Sequence, residues 1–465
     1  MSTFAVCELF ALWIEIFFKE TKMKKIISLI LVAIMSLGIV SLTACSDDTA
    51  NTLVVWTFTK ELDTMVKDYY SKKYPDVKVK VEIVEVTALE QKLDSALRAK
   101  KNLPDVVAIE EKYIDKYAKS GAFLQIEDLL PADNQMYAYT LDAAKDSEGK
   151  IIAYAWQATP GVFYYRADMA KEILGVSSPE EMQAKVSTWE GVIDVAKELK
   201  HANTEHYSDI RIFSDVQAPA RAFFSDRQAS WIVDGKLSIE EQLYNGEYSL
   251  YEIIKTLQVG DGEWGGKNEP YINETVERQA GWYGDMGGDK VFSYLMPSYS
   301  LQYDLKKNSE AGKWAICEGP ANYSDGGTWL GVIKSSNKAE QAKEMIKYFT
   351  MDKEFLRAWA DATGDFMNDK AMMAEFAADA SRTESFLYGG QNQYKIFNEV
   401  AANINGNNRT AYDSTINSWF GESAVNYAKL DNNISSKADA LDAFVEQIRG
   451  AYGAVVNTED IEFDF

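Results

Sequence analysis

Segments typical of buried strands alternate with segments typical of helices from residue 53 onward, and this order constrains the fold more than any other feature. Residues 53–56 form a short apolar run, and residues 77–83 place Val or Ile at every second position. Apolar residues recur at helical spacing over 62–70, and a third apolar run covers 105–109. Strands that alternate with helices in this way form a parallel sheet covered by helices. The sequence therefore predicts an α/β fold.

Three short patterns predict where helices begin. Thr87-Ala-Leu-Glu90 is a capping box, in which a threonine oxygen would accept from the backbone N–H three residues later. The run Ser187-Thr188-Trp189-Glu190 has the same character before an apolar helical face. Asn337-Lys-Ala-Glu340 predicts a third capped helix.

The strand pattern also indicates where a ligand would bind. In open α/β sheets, ligands lie beyond the carboxyl ends of the strands. Trp56 and Phe58 stand at the end of the first predicted strand, and Glu110 follows the third. These three residues are candidates for ligand contact. Core packing is the alternative for Trp56, and a solvated helix N-terminus is the alternative for Glu110.

The N-terminal region is interpreted as an export signal and not as part of the fold. Lys24 and Lys25 precede an apolar run over 26–40, which has the length of a signal peptide core and is too short to span a membrane comfortably. We therefore expect residues 1–44 to be a signal peptide region, with translation starting at Met23.

Cys45 ends the tetrad Leu-Thr-Ala-Cys, which resembles the lipobox of bacterial lipoproteins. In that class the cysteine becomes the lipidated first residue of the mature chain. The resemblance implies that Cys45 carries palmitate or a related lipid, and that residues 45–52 tether the domain to the extracytoplasmic face of the cell membrane. A secretory signal with an incidental cysteine is the alternative.

Composition excludes several classes of partner. The formal charge is −23, with 48 basic and 71 acidic residues, which argues against nucleic acid because phosphate binding needs clustered Lys and Arg. The chain holds two histidines, which argues against a zinc or copper site. Cys317 would be the single thiol after Cys45, so no disulfide within the mature chain is expected. Neither a metal nor a cofactor is expected.

Several segments, in this order, resemble the extracellular solute-binding proteins of ABC importers, in particular their maltose-binding-protein-like carbohydrate-binding group. The resemblance covers nearly all of 51–465. Its segments are Leu-Pro-Asp-Val-Val at 103–107, Ala-Lys-Ser-Gly-Ala-Phe-Leu at 118–124, Lys-Ile-Ile-Ala-Tyr-Ala-Trp at 150–156, Val-Phe-Tyr-Tyr-Arg-Ala-Asp at 162–168, Thr-Trp-Glu at 188–190 and Gly-Gly-Thr-Trp-Leu-Gly-Val-Ile at 326–333.

The resemblance implies a two-lobe, type II periplasmic-binding-protein-like fold with the ligand cleft between the lobes. It places lobe 1 at 53–158 and 321–362, and lobe 2 at 159–320 and 363–465. The strand–helix unit that recurs at 328–349 points independently to an interrupted α/β lobe.

The resemblance also favours a set of ligand-binding residues. The C–H face of a sugar stacks on aromatic rings, and its hydroxyl groups pair with planar polar side chains. Core packing is the alternative for every aromatic candidate, and Trp189 and Trp314 are expected in the core. Besides Trp56, Phe58 and Glu110, the candidates are Trp156, Gln157, Trp231, Trp282, Tyr283, Tyr299, Gly327 and Trp329.

These inferences predict a monomeric, non-enzymatic lipoprotein that captures a sugar, an oligosaccharide above all, and delivers it to the membrane subunits of an ABC permease. Binding of a peptide or another polar solute on the same fold is one alternative. A secreted glycoside hydrolase is another, since it needs only two suitably placed carboxylates. The Gly-x-Gly-x-x-Gly string at 260–265 follows a helical segment and carries acidic residues, so it is interpreted as a loop and not as a nucleotide site.

Overall fold

This computed structural model describes residues 51–260, 262, 268–406 and 408–464. The signal peptide region, Cys45 and most of the Gly-rich string at 260–265 lie outside these ranges. The strands are β1 (Thr52–Thr57), β2 (Lys78–Ile83), β3 (Val106–Glu110), β4 (Ala153–Ala155), β5 (Pro160–Arg166), β6 (Ile232–Val233), β7 (Lys236–Glu240), β8 (Ser293–Pro297), β9 (Trp314–Cys317), β10 (Tyr323–Ser324), β11 (Thr328–Val332) and β12 (Asn457–Asp464).

Helices connect and cover these strands. The α-helices are α1 (Lys60–Met65), α2 (Ser71–Lys73), α3 (Val86–Ala99), α4 (Glu111–Ala118), α5 (Ala138–Asp142), α6 (Ala167–Leu174), α7 (Pro179–Val186), α8 (Trp189–Lys200), α9 (Gln217–Ser225), α10 (Glu241–Tyr244), α11 (Leu250–Val259), α12 (Ala280–Gly287), α13 (Lys306–Asn308), α14 (Ala339–Met351), α15 (Lys353–Thr363), α16 (Lys370–Ala378), α17 (Gln393–Ala401), α18 (Asp413–Lys429) and α19 (Lys437–Tyr452). Val66–Tyr70 and Leu301–Leu305 are π-helical, and Glu127–Leu129 and Tyr388–Gly390 are 3₁₀ turns.

The first sheet has the strand order β2-β1-β3-β11-β4 and is mixed. β1 runs parallel to β3, with Val55 opposite Val106, as the strand–helix alternation predicts. β11 runs antiparallel to both β3 and β4, and Leu330 faces Ala108 on one side and Tyr154 on the other. The parallel pairing predicted for the opening strands therefore holds for β1 and β3. β11 enters the sheet from a distant part of the chain and runs in the opposite direction.

A second sheet is built around β5 and is antiparallel. β8 and β9 flank β5 on its two sides, and β10 pairs with its first residues. A small third sheet has the order β12-β7-β6, with β12 parallel to β7. β12 was not predicted from the sequence, although Ile461 and Phe463 alternate with acidic residues in it.

Two hydrophobic cores lie under these sheets. The first contains Leu53, Val106 and Leu330 of the first sheet. The second is largely helical and contains Ile254 of α11 and Phe420 of α18. Full burial of such a side chain contributes on the order of 2 kcal/mol to stability, so both cores contribute strongly to the stability of the fold.

Helix beginnings depend on which oxygen reaches the exposed backbone N–H groups. Thr188 caps α8 as predicted, and its side chain accepts from the Gly191 N–H at 3.1 Å. The capping box expected at Thr87 is wrong, because the Glu85 carboxylate accepts from the N–H groups of Thr87 and Ala88 at 3.0 and 3.1 Å. Asn337 likewise does not cap α14, whose N-cap is Lys338.

Three chain segments run side by side where the two main sheets connect. The Ala158 N–H donates to the Phe366 carbonyl at 3.0 Å. The Asp325 N–H donates to the Thr159 carbonyl at 3.2 Å, and the Thr159 hydroxyl donates to the Gly326 carbonyl at 2.8 Å. These bonds tie the chain between β4 and β5 to the chain between β10 and β11, and to the segment after α15. We call this region, at 156–159, 325–327 and 366–368, the chain crossing.

Candidate functional site

A cavity of about 610 Å³ lies between the two cores. Its lining combines Tyr139 and Trp329 from the first core with Ala220, Phe224 and Ile254 from or beside the second. α4, α9 and α18 supply most of its polar side chains, together with Asn405, Asn408 and Arg409. The volume falls within the ordinary range for small-molecule sites in proteins, which is about 300–1,000 Å³.

The cavity lies beyond the carboxyl end of β3, where the strand rule places a ligand. Glu110 ends β3 and caps α4, because its side chain accepts from the Lys112 N–H at 3.0 Å. The next residue, Glu111, lines the cavity. Burial, followed by the charge of Glu111, raises the pKa of Glu110 to about 7.

Arg409 joins the C-terminal half of the chain to α4. Its Nη2 and Nε donate to Oδ2 of Asp115 at 2.8 and 3.1 Å, and its Nη1 donates to Glu111. Burial raises the pKa of both carboxyl groups, while the charge of Arg409 opposes that rise. All three residues line the cavity, so the ion pair forms part of its wall.

A second arginine network lies at the beginning of the chain crossing. Arg221 of α9 donates from Nη2 to Oε1 of Glu277 at 3.0 Å, and its Nε lies 3.1 Å from Oδ2 of Asp325. Arg221 and Asp325 both line the cavity. A charge change in the cavity would therefore act directly on the segment that links β10 to β11.

Trp329 is the one sequence-predicted ligand residue in the described cavity lining. Its side chain is 4% exposed, and its Nε1 donates to the Thr140 carbonyl at 2.8 Å. Gly327 permits this placement, since its φ is +119° and a Cβ there would lie 3.1 Å from the Trp329 ring. Glycine alone adopts such a conformation without strain.

The structure places four predicted tryptophans in buried positions outside the cavity lining. Trp156 is 0% exposed in the chain crossing, and Trp231 is 0% exposed against Phe420. Trp282 is buried, and its Nε1 donates to Asp215 at 2.9 Å. Trp56 is buried under Lys92, whose Nζ lies 3.8 Å from the ring centroid.

The remaining predicted residues do not line the cavity. Phe58 and Glu110 border a much smaller recess of about 10 Å³. Gln157 is buried in the crossing, and Tyr283 packs edge-on against Trp282 with ring centroids 5.1 Å apart. The Tyr299 hydroxyl accepts from Arg278 at 3.0 Å. Their roles in ligand binding stay predictions, as do those of the buried tryptophans.

Sequence reasoning missed the polar face of α18. Ser414, Asn417, Ser418, Gly421 and Val425 follow one another at intervals of one to four residues, and all line the cavity. Such spacing places them on one side of a helix. The sequence signal that could have identified them is the recurrence of small and polar residues at helical spacing.

Three further features of the described residues bear on function, namely their metal-ligating groups, their thiol and the apolar character of their helices. Within the described ranges, no group of three or more His, Cys, Asp or Glu side chains is placed to hold a metal ion. Cys317 is a buried free thiol, and burial raises its pKa. Among the helices described, none has the length and apolar character needed to cross a bilayer.

Comparison with known proteins gives one family and many similar folds. Residues 64–384 match the sequence model of a family described as bacterial extracellular solute-binding protein. The diacetylchitobiose-binding protein DasA of Streptomyces coelicolor is 23% identical over 401 residues, which cover 77% of this chain and 85% of DasA.

Solved structures agree with the predicted fold. A solute-binding protein of family 1 aligns with a TM-score of 0.71 at 18% identity, over 86% of this chain and 99% of that one. The binding protein of an ABC transporter from B. animalis subsp. lactis, solved with β-1,6-galactobiose, aligns with a TM-score of 0.66 at 21% identity, over 88% of this chain and 100% of that one. The fold is therefore α/β and of the type II periplasmic-binding-protein-like class, as the sequence predicts.

Proposed function

The chain belongs to the bacterial extracellular solute-binding protein family, and from that premise we propose that it captures an oligosaccharide and delivers it to the membrane subunits of an ABC importer. The family consists of binding proteins, so the proposed role is non-enzymatic. Its ligand would be taken up on the extracytoplasmic side.

One observation carries the proposal, namely the composition of the cavity wall. Trp329, Tyr139 and Phe224 supply ring faces for the apolar side of a sugar. Gln217 and Asn417, with the carboxylates of Glu111 and Asp325, supply planar groups of the kind that pair with hydroxyls. The volume of about 610 Å³ exceeds the need of a single sugar ring and favours an oligosaccharide.

Two relatives support the sugar class by their names. DasA is described as a diacetylchitobiose-binding protein, and the bifidobacterial structure contains β-1,6-galactobiose. Both relatives are less than 25% identical to this chain, so they support sugars as the class of ligand and do not indicate which sugar is bound.

Calorimetric titration of the purified protein with disaccharides, trisaccharides and matched tripeptides tests the proposal. We expect saturable binding of at least one oligosaccharide and none of the peptides. Ala220→Trp should abolish that binding, because it fills the cavity, whereas Ala451→Trp adds the same side chain at an exposed position and should leave binding intact. Tight peptide binding with no sugar binding would contradict the proposal.

The lobes proposed at 53–158 with 321–362 and at 159–320 with 363–465 are consistent with the chain crossing. The bonds from Ala158 to Phe366 and from Asp325 to Thr159 lie close to the proposed boundaries. Closure of the lobes around the ligand is a hinge motion of a common kind. Small-angle scattering should give a smaller radius of gyration at saturating sugar, and an unchanged radius would count against closure.

We also propose that Cys45 anchors the protein to the outer face of the membrane by a lipid, and that the anchored protein acts as a monomer. The tetrad at 42–45 supports the anchor. Cys45→Ala should release a folded protein from the membrane fraction and abolish incorporation of labelled palmitate. Membrane retention with undiminished label in the variant would overturn the assignment.

A further inference from the structure

Arg227 lines the cavity and carries one hydrogen-bond donor that is unpaired. Its Nε donates to the Phe224 carbonyl at 2.9 Å and its Nη2 to Oδ2 of Asp413 at 2.5 Å. Its Nη1 is buried and has no hydrogen-bond partner among the described residues. The residue is 2% exposed and lines the cavity. A buried donor without a partner is unfavourable, so an acceptor brought by the ligand would be stabilised there.

Asn417 supplies a second donor near Arg227. The Trp231 Nε1 donates to Oδ1 of Asn417 at 2.7 Å. An indole N–H can only donate, so the amide oxygen must face Trp231 and the Nδ2 group must face away from it. Asn417 lines the cavity, and its bond with Trp231 leaves the Nδ2 group to other partners.

Trp231 fixes the positions of both donors from behind the cavity wall. The Arg227 guanidinium carbon lies 4.6 Å from the Trp231 ring centroid, and Asn417 is bound to the indole nitrogen. Trp231 is itself 0% exposed and packs between Phe224 and Phe420. Trp231 was expected from the sequence to contact the ligand, whereas its surroundings are those of a positioning residue.

An apolar patch borders these donors. Phe224, whose carbonyl is bound by Arg227, lines the cavity together with Ala220, Ile254 and Val425. Gly421 keeps the patch open, because a Cβ at that position would lie 3.7 Å from the Phe224 ring. The patch would accept a small apolar group next to the acceptor that Arg227 and Asn417 bind.

Charge argues that this acceptor is neutral. Arg227 is already paired with Asp413, and Arg221 and Arg409 are paired with carboxylates of their own. Carboxylates in the lining outnumber the cationic side chains there. A ligand carboxylate would therefore meet a net negative wall, whereas a carbonyl oxygen needs only the two N–H groups.

We propose that Arg227 and Asn417 bind the carbonyl oxygen of an acetamido group, whose methyl group packs on Phe224 and its apolar neighbours. The ligand is then an oligosaccharide that contains an N-acetylated amino sugar. This assignment rests on the proposed function, since it names the class of sugar that the same cavity would hold.

Titration with three matched disaccharides tests the assignment: N,N′-diacetylchitobiose, its deacetylated form and cellobiose, which carry an acetamido, an amino and a hydroxyl group at the same carbon. We expect the purified protein to bind the acetylated disaccharide at least about 10-fold more tightly than either of the others, because the other two leave the donors without a carbonyl. Asn417→Asp still accepts from Trp231 but loses the donor, and Arg227→Lys keeps a charge for Asp413 but loses the forked N–H groups. Each variant should reduce the preference to within about threefold.

Asn426→Asp is the control, because it makes the same change on α18 at a residue that accepts a hydrogen bond from Asn432 outside the cavity. It should keep the full preference, and melting curves should show that all variants are folded. Equal binding of cellobiose, or tighter binding of a matched disaccharide with a glucuronic acid, would overturn the acetamido assignment and leave the proposed function standing. If none of these sugars and no other oligosaccharide binds, the proposed function fails and the assignment fails with it.

Discussion

Arg409 and Asp115 are 294 residues apart in sequence, and the Arg409 Nη2 donates to Oδ2 of Asp115 at 2.8 Å on the cavity wall. Arg409 also donates to Glu111, so one guanidinium pairs with two carboxylates of α4. The pair connects the helix that follows β3 with the segment that precedes α18. Because both carboxyl groups are buried, the free-energy cost of keeping them ionised depends on this single cation.

Replacement of Arg409 by Gln should destabilise the protein by about 2–4 kcal/mol at pH 8, because it leaves two buried carboxylates without a cation. The loss should shrink towards pH 5. Burial raises the pKa values of both carboxyl groups, and removal of Arg409 should raise them further. The folded state then binds protons more readily than the unfolded state, so it gains stability as the pH falls. Thermal melting at both pH values measures the effect.

Arg357→Gln is the matched control for Arg409. Arg357 pairs with Glu375 at the surface, where both side chains are more than a third exposed. Exposed pairs contribute little to stability, so this variant should melt close to the wild type at either pH. An Arg409→Gln loss that is the same at pH 5 and pH 8 would contradict the buried-carboxylate explanation.

The raised pKa of Glu110 predicts that the stability of the protein depends on pH near neutrality. Burial and then Glu111 raise its pKa from an ordinary value to about 7, so the folded state holds a proton that the unfolded state releases. Stability should therefore fall as the pH rises from about 5 to about 8, by roughly 2 kcal/mol from this group. Glu110→Gln should flatten that part of the profile in melting experiments.

Glu85→Gln gives the opposite comparison for Glu110. Glu85 caps α3 as Glu110 caps α4, but its pKa is lowered, chiefly by the N–H groups of Thr87 and Ala88. Stability from a carboxyl group with a lowered pKa is present at neutral pH and is lost as the pH falls. If both variants changed the profile with the same sign, the raised pKa of Glu110 would be wrong.

The fold was largely predictable because its central strands have clear apolar sequence patterns. The apolar runs of β1, β3 and β11 can be buried only in the middle of a sheet, and Thr188 marks the beginning of α8. β12 was not predicted, because only Ile461 and Phe463 alternate with acidic residues in it, and so short a run is a weak signal for a strand. The direction of β11 could not be predicted from the sequence either, because it depends on how a distant segment crosses between the sheets.

The site was less predictable than the fold. Trp329 was found because Gly327 shortly precedes it, and that glycine leaves room for the ring. Trp156 also stands at a strand end, but the segment after α15 packs over it and the Asn368 N–H binds its carbonyl at 3.0 Å. Which way a strand-end side chain turns depends on the layer that covers it, and that layer comes from elsewhere in the chain. Arg409 and Asn417 join the site only through tertiary packing.

Gly327→Ala should destabilise the protein by about 1–3 kcal/mol and weaken ligand binding. The new Cβ would require a strained φ of +119° and would press on the Trp329 ring from 3.1 Å. Gly312→Ala is the control, since its φ of +81° is also strained but its Cβ meets nothing within 4 Å. Melting and titration of both variants separate the backbone strain from the contact. Normal affinity in Gly327→Ala would show that the Trp329 ring does not need this clearance.

Trp329 and Trp156 form a pair of tests for the aromatic part of the cavity. Trp329 lines the cavity, so Trp329→Ala should remove a ring face and weaken sugar binding by about 2 kcal/mol, or about 25-fold. Trp329→Phe keeps a ring but loses the bond to the Thr140 carbonyl, and it should retain most of the affinity.

Trp156→Ala should act mainly on folding, because the side chain is 0% exposed and lies outside the cavity lining. Truncation of a buried tryptophan costs roughly 3–5 kcal/mol of stability. Titration and melting of the three variants separate the two roles, since affinity should fall most in Trp329→Ala and melting temperature most in Trp156→Ala. A large loss of affinity in folded Trp156→Ala, with Trp329→Ala binding normally, would mean that the ligand stacks at the chain crossing and not in the described cavity.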